Sequence, residues 1–349
     1  MQALVLAGGE GTRLRPLTHS VPKPVIPLAG RPFLSFMLDW LGRHGVDDAI
    51  LSCGFKSDAV QAVLGDRHGG IGLHYVVENE PLGTAGPVRL AADRGLVEDR
   101  LLVLNGDTLT DIDLSAEVEQ HERTGAVATL ALVAVGDTSS YGVVPTTGDG
   151  QVEAFLEKTD SPPTDRINAG AYVLEPSVID AIPAGRMVSF EREVFPALVG
   201  DGLYGYLADG YWIDIGTRDR YLEATYDLLA GRVESSLPPR DETGSLVGEG
   251  CITSGARIGP MSVLGRHCSI GDHSVIERSV LHDSVRVGAD CTVEGAVLAE
   301  GVRLADSVNV EEKAVLGAGT RVEEGARIER GALLDPGAHV RSGQTVAST

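Results

Sequence analysis

The chain has 349 residues, more than one average domain, and this length favours two domains. Hydrophobic residues make up 43% and charged residues 23%, an ordinary balance for a soluble globular protein that excludes both a largely disordered chain and an integral membrane protein. The formal net charge of -21 disfavours nucleic acid as a partner, because so acidic a surface repels a polyphosphate backbone.

Neither a membrane partner nor a signal peptide is expected. No stretch reaches the length of a membrane span, and the first apolar run, residues 3–7, lacks a basic flank and continues directly into glycines. The cysteines form no CxxC pair and no cluster with histidine, so we expect buried small side chains in a reducing cytoplasm. They are Cys53, Cys251, Cys268 and Cys291.

Residues 1 to about 230 alternate strand-like and helix-like segments. The predicted strands are residues 2–7, 49–53, 73–77 and 101–104, and the predicted helices are residues 33–41, 57–64 and 84–92. This alternation predicts the α/β class, with a parallel sheet covered by helices on both faces. Ligands of such sheets bind beyond the carboxyl ends of the strands, where the motifs described below lie.

Beyond residue 243 the pattern changes to a repeat of six residues, after a linker-like stretch of prolines and polar residues at 231–243. An aliphatic residue then stands at every sixth position, with two steps of five: Ile252, Ile258, Leu264, Ile270, Ile276, Leu281, Val287, Val293, Leu298, Leu304, Val310, Leu316, Val322, Ile328, Leu334 and Val340. This period is typical of a parallel β-helix, in which the aliphatic residues stack inward. The sequence therefore predicts an α/β domain over residues 1–230, a linker over 231–243 and a hexapeptide β-helix over 244–349.

Hexapeptide β-helices also occur in acyltransferases, which use a histidine at a subunit junction. No spacing marks any histidine of this region as catalytic: His267, His273, His282 and His339. We therefore favour a scaffold that forms a homo-oligomer, and a hexapeptide acyltransferase stays as an alternative.

The first predicted strand runs directly into a glycine-rich loop, residues 7–13, Ala-Gly-Gly-Glu-Gly-Thr-Arg. Glycines after a strand let the backbone approach a phosphate and point N–H groups at it. The loop lacks the third glycine of a dinucleotide fingerprint and the Gly-Lys-Ser/Thr end of a P-loop. Arg13 could hold phosphate oxygens with two hydrogen bonds, and Lys23, between two prolines, adds a second cation. These residues predict a phosphate site.

Residues 6–18, followed by Pro22-Lys23-Pro24, resemble the opening of the nucleoside-diphosphate-sugar pyrophosphorylases, which are sugar-1-phosphate nucleotidyltransferases. The resemblance implies a Rossmann-like domain with a mostly parallel sheet, followed by a left-handed β-helix. It also implies that the glycine loop, Arg13 and Lys23 hold a nucleoside triphosphate. The implied nucleotide-binding residues are Leu6, Ala7, Gly8, Gly9, Gly11, Thr12, Glu78, Pro81, Gly83 and Thr84.

Two further segments resemble the magnesium site of this family. Asn105-Gly106-Asp107 follows a predicted strand, and Asp214 lies in a second matching segment, residues 211–217. Carboxylates suit a hard cation, so the implied cofactor is Mg2+ on the two aspartates. With Arg13 and Lys23, these groups would offset charge as a sugar 1-phosphate attacks the α-phosphorus of the nucleotide and pyrophosphate departs.

Residues 78–87 resemble the base-binding segment of mannose-1-phosphate guanylyltransferases, and Glu78 stands where thymidylyltransferases carry glutamine. A carboxylate can accept hydrogen bonds from both adjacent donors of guanine, N1–H and the exocyclic amine, whereas in thymine or uracil it meets carbonyl oxygens. We therefore expect GTP. The alternative is a solvated Glu78, with backbone groups near Gly83 reading the base.

The resemblance implies four sugar-phosphate-binding residues: Gly142, Glu157, Lys158 and Asn168. Lys158 would bind the phosphate, and Glu157 and Asn168 would bind hydroxyls. Residues 189–196 resemble the mannose-specific branch and favour mannose 1-phosphate. Asn-Gly-Asp at residues 105–107 weakens that assignment, because many mannose enzymes have Asn-Ser-Asp there.

Three alternatives stay open beside a mannose-1-phosphate guanylyltransferase. One is a guanylyltransferase for a heptose or cyclitol 1-phosphate, and another is a thymidylyl- or adenylyltransferase acting on glucose 1-phosphate. The third is a non-catalytic regulatory subunit with the same two domains. Such subunits usually lose the loop arginine or a metal aspartate, whereas Arg13, Asp107 and Asp214 are all present here.

Overall fold

The computed structural model describes residues 1–157, 161–238, 240–253 and 255–348, with Glu157 described by its backbone alone. The chain packs as two compact units. The first joins Met1–Gly9 to Leu34–Ile213, and the second joins Glu10–Phe33 to Asp214–Thr349. No helix within the described ranges is long and apolar enough to cross a membrane.

Strands and helices alternate through most of the first 230 residues, as the sequence predicts, although four strands follow one another between residues 128 and 174. The strands up to residue 214 are β1 (Gln2–Leu6), β2 (Pro27–Leu28), β3 (Arg31–Pro32), β4 (Asp48–Cys53), β5 (Arg67–His68), β6 (Ile71–Val77), β7 (Leu101–Asn105), β8 (Thr108–Thr110), β9 (Ala128–Ala134), β10 (Gly142–Val143), β11 (Leu156–Glu157), β12 (Arg166–Leu174), β13 (Leu203–Leu207) and β14 (Trp212–Asp214). The α-helices are α1 (Leu17–Ser20), α2 (Phe33–Arg43), α3 (Ser57–Leu64), α4 (Gly86–Asp93), α5 (Leu114–Thr124), α6 (Pro176–Ala181), α7 (Phe195–Leu198) and α8 (Arg218–Ala230). Turns of 3-10 helix cover Thr12–Leu14 and Lys23–Val25, and a π-helical turn covers Phe190–Val194.

The first unit is built on a ten-stranded sheet whose centre is parallel. Its order is β11-β10-β12-β7-β1-β4-β6-β5, and β9 and β13 extend it from β12. β1 lies between β4 and β7 and is parallel to both, so the carboxyl ends of three strands meet at one edge. Their middle residues, such as Leu4, Ile50 and Val103, are completely buried, as expected for parallel strands covered on both faces. The predicted α/β fold with a mostly parallel sheet is confirmed, and three strands run opposite to the parallel ones: β12, β11 and β5.

The three predicted helices are present: α3 has the predicted ends, whereas α2 and α4 have shifted ends. α2 continues to Arg43, past Gly42, where the sequence predicts its end. α4 begins at Gly86 rather than at Thr84. The backbone N–H of its N-cap Ala85, which has no acceptor within the helix, donates to the carbonyl oxygen of Val188 at 2.9 Å.

The second unit contains the predicted β-helix, in which short parallel strands stack into three sheets. Its strands are β15 (Leu246–Val247), β16 (Arg257–Ile258), β17 (Val263–Leu264), β18 (Ser269–Ile270), β19 (Val275–Glu277), β20 (Val280–Leu281), β21 (Arg286–Val287), β22 (Thr292–Glu294), β23 (Val297–Leu298), β24 (Arg303–Leu304), β25 (Asn309–Val310), β26 (Val315–Leu316), β27 (Arg321–Val322), β28 (Arg327–Ile328), β29 (Leu333–Leu334), β30 (His339–Val340) and β31 (Thr345–Val346). The sheets are β15-β17-β20-β23-β26-β29, β16-β19-β22-β25-β28-β31 and β18-β21-β24-β27-β30.

The predicted aliphatic residues form the core of the β-helix from Leu264 to Val340. At its start Ile258 is only partly buried, and Ile252 is 62% exposed. Cys251 is half-buried, whereas the other three cysteines are buried as predicted. The prediction of a buried side chain is therefore wrong at Ile252 and Cys251. Both residues lie in the first coil, which stacks on a neighbouring coil on one side only.

The second unit also contains Glu10–Phe33, which packs with α8 and the β-helix. Arg218, the first residue of α8, donates hydrogen bonds to the carbonyl oxygens of Arg13 at 3.4 Å and Arg15 at 2.7 Å. The end of the glycine loop is therefore held by a helix that lies far from it in sequence.

Candidate active site

The carboxyl ends of β1, β4 and β7 bring several predicted nucleotide-binding residues together. The carbonyl oxygen of Leu6 accepts a hydrogen bond from the N–H of Gly106 at 3.0 Å. The N–H of Ala7 donates to the carbonyl oxygen of Ser52, near the end of β4, at 2.8 Å. Because β1 pairs with both neighbours, the start of the glycine loop lies beside the segment that carries Asp107.

Two glycines at this edge allow close approach of neighbouring groups. A Cβ placed on Gly106 would lie 2.7 Å from the carbonyl oxygen of Leu6, too close for any other residue without a shift of the backbone. A Cβ on Gly8 would lie 3.1 Å from Oε1 of Glu78. Gly9 is exposed and has no atom within 4 Å of such a position. Its missing side chain therefore leaves open space rather than relieving a contact inside the protein.

Glu78 is held at this edge by two hydrogen bonds. The hydroxyl of Ser52 donates to Oε1 at 2.8 Å, and the N–H of Leu82 donates to Oε2 at 3.1 Å. Ser52 is completely buried and Glu78 is half-buried. Each carboxylate oxygen accepts through two lone pairs, so a carboxylate oriented in this way can still accept donors from a ligand.

The loop after Glu78 is shaped by the backbone of Val188. Gly83 has a φ of 78°, and a Cβ there would clash with the carbonyl oxygen of Val188. The same oxygen accepts the N–H of Ala85 at 2.9 Å. Pro81, earlier in the loop, is exposed. Glycine at position 83 is therefore required by both conformation and space.

Thr84 anchors this loop through its hydroxyl. Its Oγ1 donates to Glu191 at 2.7 Å and accepts from the N–H of Phe190 at 2.8 Å. Ser189 donates to the same carboxylate oxygen of Glu191 at 2.6 Å. The hydroxyl of Thr84 thus fixes the predicted base-binding loop to the π-helical turn.

Gly11, Thr18 and Lys23 pack together in the second unit. Gly11 has a left-handed backbone with φ 62°, which favours glycine. A Cβ there would lie 3.0 Å from the methyl group of Thr18 and 3.1 Å from the Cβ of Lys23. Thr18 also donates its hydroxyl to the carbonyl oxygen of Gly11 at 2.8 Å. The aliphatic stem of Lys23, which is buried, therefore lies against the glycine loop.

Arg13 and Asp214 flank the same glycine. Thr12 and Arg13 are exposed in the 3-10 turn that ends the glycine loop. A Cβ on Gly216 would lie 2.7 Å from Nη2 of Arg13 and 3.1 Å from Oδ2 of Asp214. Glycine at position 216 therefore leaves room for the guanidinium beside the carboxylate.

The predicted sugar-binding residues belong to strands of the first unit. Gly142 of β10 pairs with Glu157 of β11 in an antiparallel ladder. A Cβ on Gly142 would lie 2.8 Å from the ring of Phe155, so glycine allows this packing. Lys158 lies outside the described residues, and of Glu157 only the backbone is described.

Asn168 lies where the register of β12 against β9 shifts. Its Nδ2 donates to the hydroxyl oxygen of Tyr172 at 2.9 Å, and its Oδ1 accepts the N–H of Gly170 at 3.0 Å. Burial raises the pKa of Tyr172, and the nearby charges of Glu191 and Asp107 raise it further. Tyr172 therefore stays a neutral hydroxyl that orients the amide of Asn168.

Sequence reasoning assigned no role to three residues that hold predicted site residues: Ser52, Tyr172 and Glu191. Ser52 carries a signal, since it is the one polar residue in the apolar run at 49–53. Glu191 lies in the segment 189–196 that resembles the mannose-specific branch, but its partner Thr84 is distant in the sequence. Tyr172 contacts Asn168 from the same strand, beside the register shift of β12 against β9, which no sequence pattern indicates.

A model of the nucleotidyl transferase family matches residues 2–231. This chain belongs to that family. Residues 240–328 match a model described as the EIF2B subunit epsilon LbH domain. The resemblance of the glycine loop to the sugar-1-phosphate nucleotidyltransferases is therefore confirmed, as is the β-helix that follows.

Named relatives span most of the chain. It is 44% identical over 296 residues to the mannose-1-phosphate guanylyltransferase of Mycobacterium tuberculosis, covering 83% of this chain and 82% of that protein. It is 31% identical over 327 residues to the UTP–glucose-1-phosphate uridylyltransferase of a Synechocystis species, covering 82% and 84% respectively. A solved structure of HddC from Yersinia pseudotuberculosis complexed with GMP-PN is similar with a TM-score of 0.54 and 30% identity, covering 64% of this chain and 97% of HddC.

Proposed function

We propose that this protein transfers GMP from GTP to mannose 1-phosphate, forming GDP-mannose and releasing pyrophosphate. The observation that carries this proposal is the relative that is 44% identical across 83% of the chain, a mannose-1-phosphate guanylyltransferase. The uridylyltransferase relative is more distant, at 31% identity. The glycine loop, the two cations and the two aspartates that the reaction needs are all present.

Glu78 supports guanine as the base. Ser52 and the N–H of Leu82 orient its carboxylate, and both bonds leave acceptor capacity on the two oxygens. N1–H and the exocyclic amine of guanine would occupy that capacity. Uracil and thymine would instead present a carbonyl oxygen to a carboxylate, which is repulsive and leaves polar groups unpaired.

The chemical step joins two polyanions without a covalent enzyme intermediate. A phosphate oxygen of mannose 1-phosphate forms a bond to the α-phosphorus of GTP, while the bond from that phosphorus to the departing pyrophosphate breaks. Arg13 would hold phosphate oxygens with its guanidinium, and Lys23 would add a second charge beside the glycine loop. Both cations offset the charge that develops on the leaving group and align it for in-line displacement.

We assign magnesium to Asp107 and Asp214, whose carboxylates are the donor type that this cation prefers. Across the described ranges no group of three or more His, Cys, Asp or Glu side chains could hold a metal ion. Mg2+ commonly takes one or two carboxylates from a protein and its other ligands from substrate phosphates and water, so two aspartates are a sufficient protein contribution. When bound, the ion would neutralise phosphate charge and polarise phosphoryl oxygens.

The sugar side is assigned to Gly142, Glu157, Lys158 and Asn168. Asn168 is the member whose side-chain environment is described, and its amide is oriented by Tyr172. Gly106, where many mannose enzymes carry serine, has no room for a Cβ beside Leu6. Glycine there follows from the close packing of β7 on β1 and does not by itself favour another sugar.

The deciding experiment measures pyrophosphate release with magnesium, mannose 1-phosphate and each nucleoside triphosphate in turn. Release with GTP alone is expected. Release only with a heptose, cyclitol or glucose 1-phosphate would replace the sugar in the proposal, and release only with another nucleotide would replace the base. No release with any pair would favour the regulatory subunit.

We further propose a catalytic domain at residues 1–230, a linker at 231–243 and a β-helix at 244–349 that assembles homo-oligomers in the cytoplasm. Val247 and Ile252, in the first coil, are 48% and 62% exposed. Exposed aliphatic residues at the start of a β-helix offer an apolar contact for a second copy. Sedimentation of the parent and of Ile252→Asp tests this: the charged variant is expected to dissociate, and unchanged sedimentation would exclude this contact.

A further inference from the structure

Tyr221 of α8 connects the β-helix to the segment that carries Lys23. It is completely buried, and its hydroxyl contacts two polar groups from distant parts of the chain. It donates a hydrogen bond to the carbonyl oxygen of Pro27, and Nε2 of His282 lies 3.1 Å from the same hydroxyl oxygen. His282 lies directly after β20 in the β-helix and is itself buried.

The direction of both hydrogen bonds follows from chemistry. A carbonyl oxygen only accepts, so the single hydroxyl hydrogen of Tyr221 is used on Pro27. His282 must then carry its hydrogen on Nε2 and donate it to Tyr221. Burial lowers the pKa of His282 to about 4, so the ring is neutral at physiological pH and can adopt this tautomer. The three groups form a directed chain of hydrogen bonds from the β-helix to Pro27.

Pro27 is joined to Lys23 by a short and stiff stretch of backbone. Prolines at positions 22, 24 and 27 fix φ along it. The N–H of Ile26 donates to the carbonyl oxygen of Lys23 at 3.2 Å, closing the 3-10 turn. The side chain of Lys23 then packs on Gly11, at the glycine loop. A displacement of Pro27 would therefore be transmitted to Lys23.

We infer that Tyr221 is a positioning residue for Lys23 and that His282 of the β-helix holds Tyr221 in place. The inference rests on the proposed role of Lys23 as a phosphate-binding cation. The β-helix then contributes to catalysis within one chain, through α8, in addition to any role in assembly. The same helix also holds the carbonyl oxygens of Arg13 and Arg15 through Arg218, so α8 supports both parts of the phosphate site.

Tyr221→Phe tests the inference, with Tyr226→Phe as its matched control. Tyr226 lies on the same helix and also donates its hydroxyl to the β-helix, at the carbonyl oxygen of Arg278 rather than at Pro27. Tyr221→Phe is expected to lower kcat/KM for GTP at least about tenfold, since a misplacement of 1 Å costs on the order of 10²-fold. Tyr226→Phe is expected to stay within about twofold of the parent by the same reasoning. Equal effects of the two variants would overturn the inference.

A double-mutant cycle with Lys23→Met separates positioning from general stability. If Tyr221 acts through Lys23, adding Tyr221→Phe to Lys23→Met lowers kcat/KM no further. If the two substitutions instead lower kcat/KM by factors that multiply in the double variant, the inference is overturned. A Lys23→Met variant with parental kcat/KM would instead refute the proposed role of Lys23, and a damaged Lys23→Met beside a normal Tyr221→Phe would refute the positioning role alone.

His282 provides a second route should Tyr221→Phe not fold. His282→Gln keeps an N–H donor at a reach similar to Nε2, whereas His282→Leu removes it. The glutamine variant is expected to keep the parental kcat/KM and the leucine variant to lose several-fold, with hydrogen exchange of residues 23–28 faster in the leucine variant alone. Equal kcat/KM and equal exchange in the two variants would overturn the inference.

Discussion

Ser52 donates a hydrogen bond from its hydroxyl to Oε1 of Glu78 over 2.8 Å and so joins the end of β4 to the residue that follows β6. Ser52 is completely buried, so its hydroxyl supports Glu78 from inside the protein. The bond fixes the direction in which the Glu78 carboxylate can accept further donors.

Base selection is expected to depend on Ser52 as well as on Glu78. Ser52→Ala should lower the ratio of kcat/KM for GTP to that for UTP by roughly 2- to 10-fold, the equivalent of one hydrogen bond. Glu78→Gln should lower the ratio further. Glutamine is uncharged and has one acceptor oxygen, whereas the carboxylate of Glu78 offers two to the guanine donors. Ser279→Ala removes another buried hydroxyl, one that donates to the carbonyl oxygen of Glu277 in the β-helix, and should leave the ratio unchanged. A parental ratio in Glu78→Gln would contradict the assignment of the base.

Arg13 and Asp107 are expected to be needed for turnover and not for folding. Arg13→Ala and Asp107→Asn should each lower kcat by about 10²- to 10³-fold, the usual cost of removing one group that stabilises transition-state charge. Arg15→Ala is the control for the loop, since Arg15 is exposed and pairs with Glu10 at 3.3 Å. Single-turnover measurement of pyrophosphate release, with circular dichroism to check folding, makes the comparison. Parental turnover in either site variant would remove that residue from the mechanism.

Gly106 is expected to be required by packing before any ligand binds. Gly106→Ala places a Cβ 2.7 Å from the carbonyl oxygen of Leu6 and should lower the free energy of unfolding by about 1–3 kcal/mol. Gly136→Ala, with no atom within 4 Å of the new Cβ, should be neutral. Chemical denaturation without ligands measures both. If Gly106→Ala were as stable as Gly136→Ala, the backbone of β1 and β7 would be able to shift apart without a loss of unfolding free energy.

Glu117 of α5 is expected to make stability fall as pH rises. It is completely buried, its two carboxylate oxygens have no hydrogen-bond partner among the described residues, and burial raises its pKa well above the ordinary 4.5. The folded state therefore holds this proton more tightly than the unfolded state, so the contribution of Glu117 to stability is fully present below pH 4.5 and is lost as pH rises through the folded-state pKa. Glu117→Gln cannot ionise and should be more stable than the parent at pH 8 by more than about 1 kcal/mol.

Urea unfolding at pH 5 and pH 8 measures this difference, which should shrink at the lower pH. Glu119→Gln, an exposed glutamate on the same helix, controls for the loss of one negative charge. If the difference in unfolding free energy between the parent and Glu117→Gln grew towards pH 5, the raised pKa of Glu117 would be contradicted.

Local sequence patterns predicted most of the helices and strands. They failed where a contact with another part of the chain determines the structure. The six-residue period located the inward residues from Leu264 onward, because each coil repeats the same environment. It failed at Ile252, where the first coil has a partner on one side only. Helix α4 begins later than its pattern indicates, and the N–H of its N-cap Ala85 is satisfied by Val188, which lies about 100 residues further along the chain.

The same distinction between local patterns and distant contacts applies to the residues of the candidate site. The residue types and spacing of the glycines, Arg13, Lys23 and the two aspartates suggest their chemistry, so the sequence alone is enough to propose them as site residues. Ser52 and Glu191 hold Glu78 and Thr84 through contacts between elements, and their partners are not visible in a local pattern. Tyr172 holds Asn168 within one strand, at a register shift that depends on the pairing with β9.

The sequence by itself determined the two architectures and the chemical class of the loop, because hydrophobic periodicity and glycine spacing are properties of neighbouring residues. Only the tertiary structure decided that residues 10–33 pack with α8 and the β-helix. Only it placed the hydroxyl of Tyr221 between Pro27 and His282. A buried hydroxyl needs a partner, but which distant backbone supplies that partner depends on how whole elements pack, and no local pattern records it.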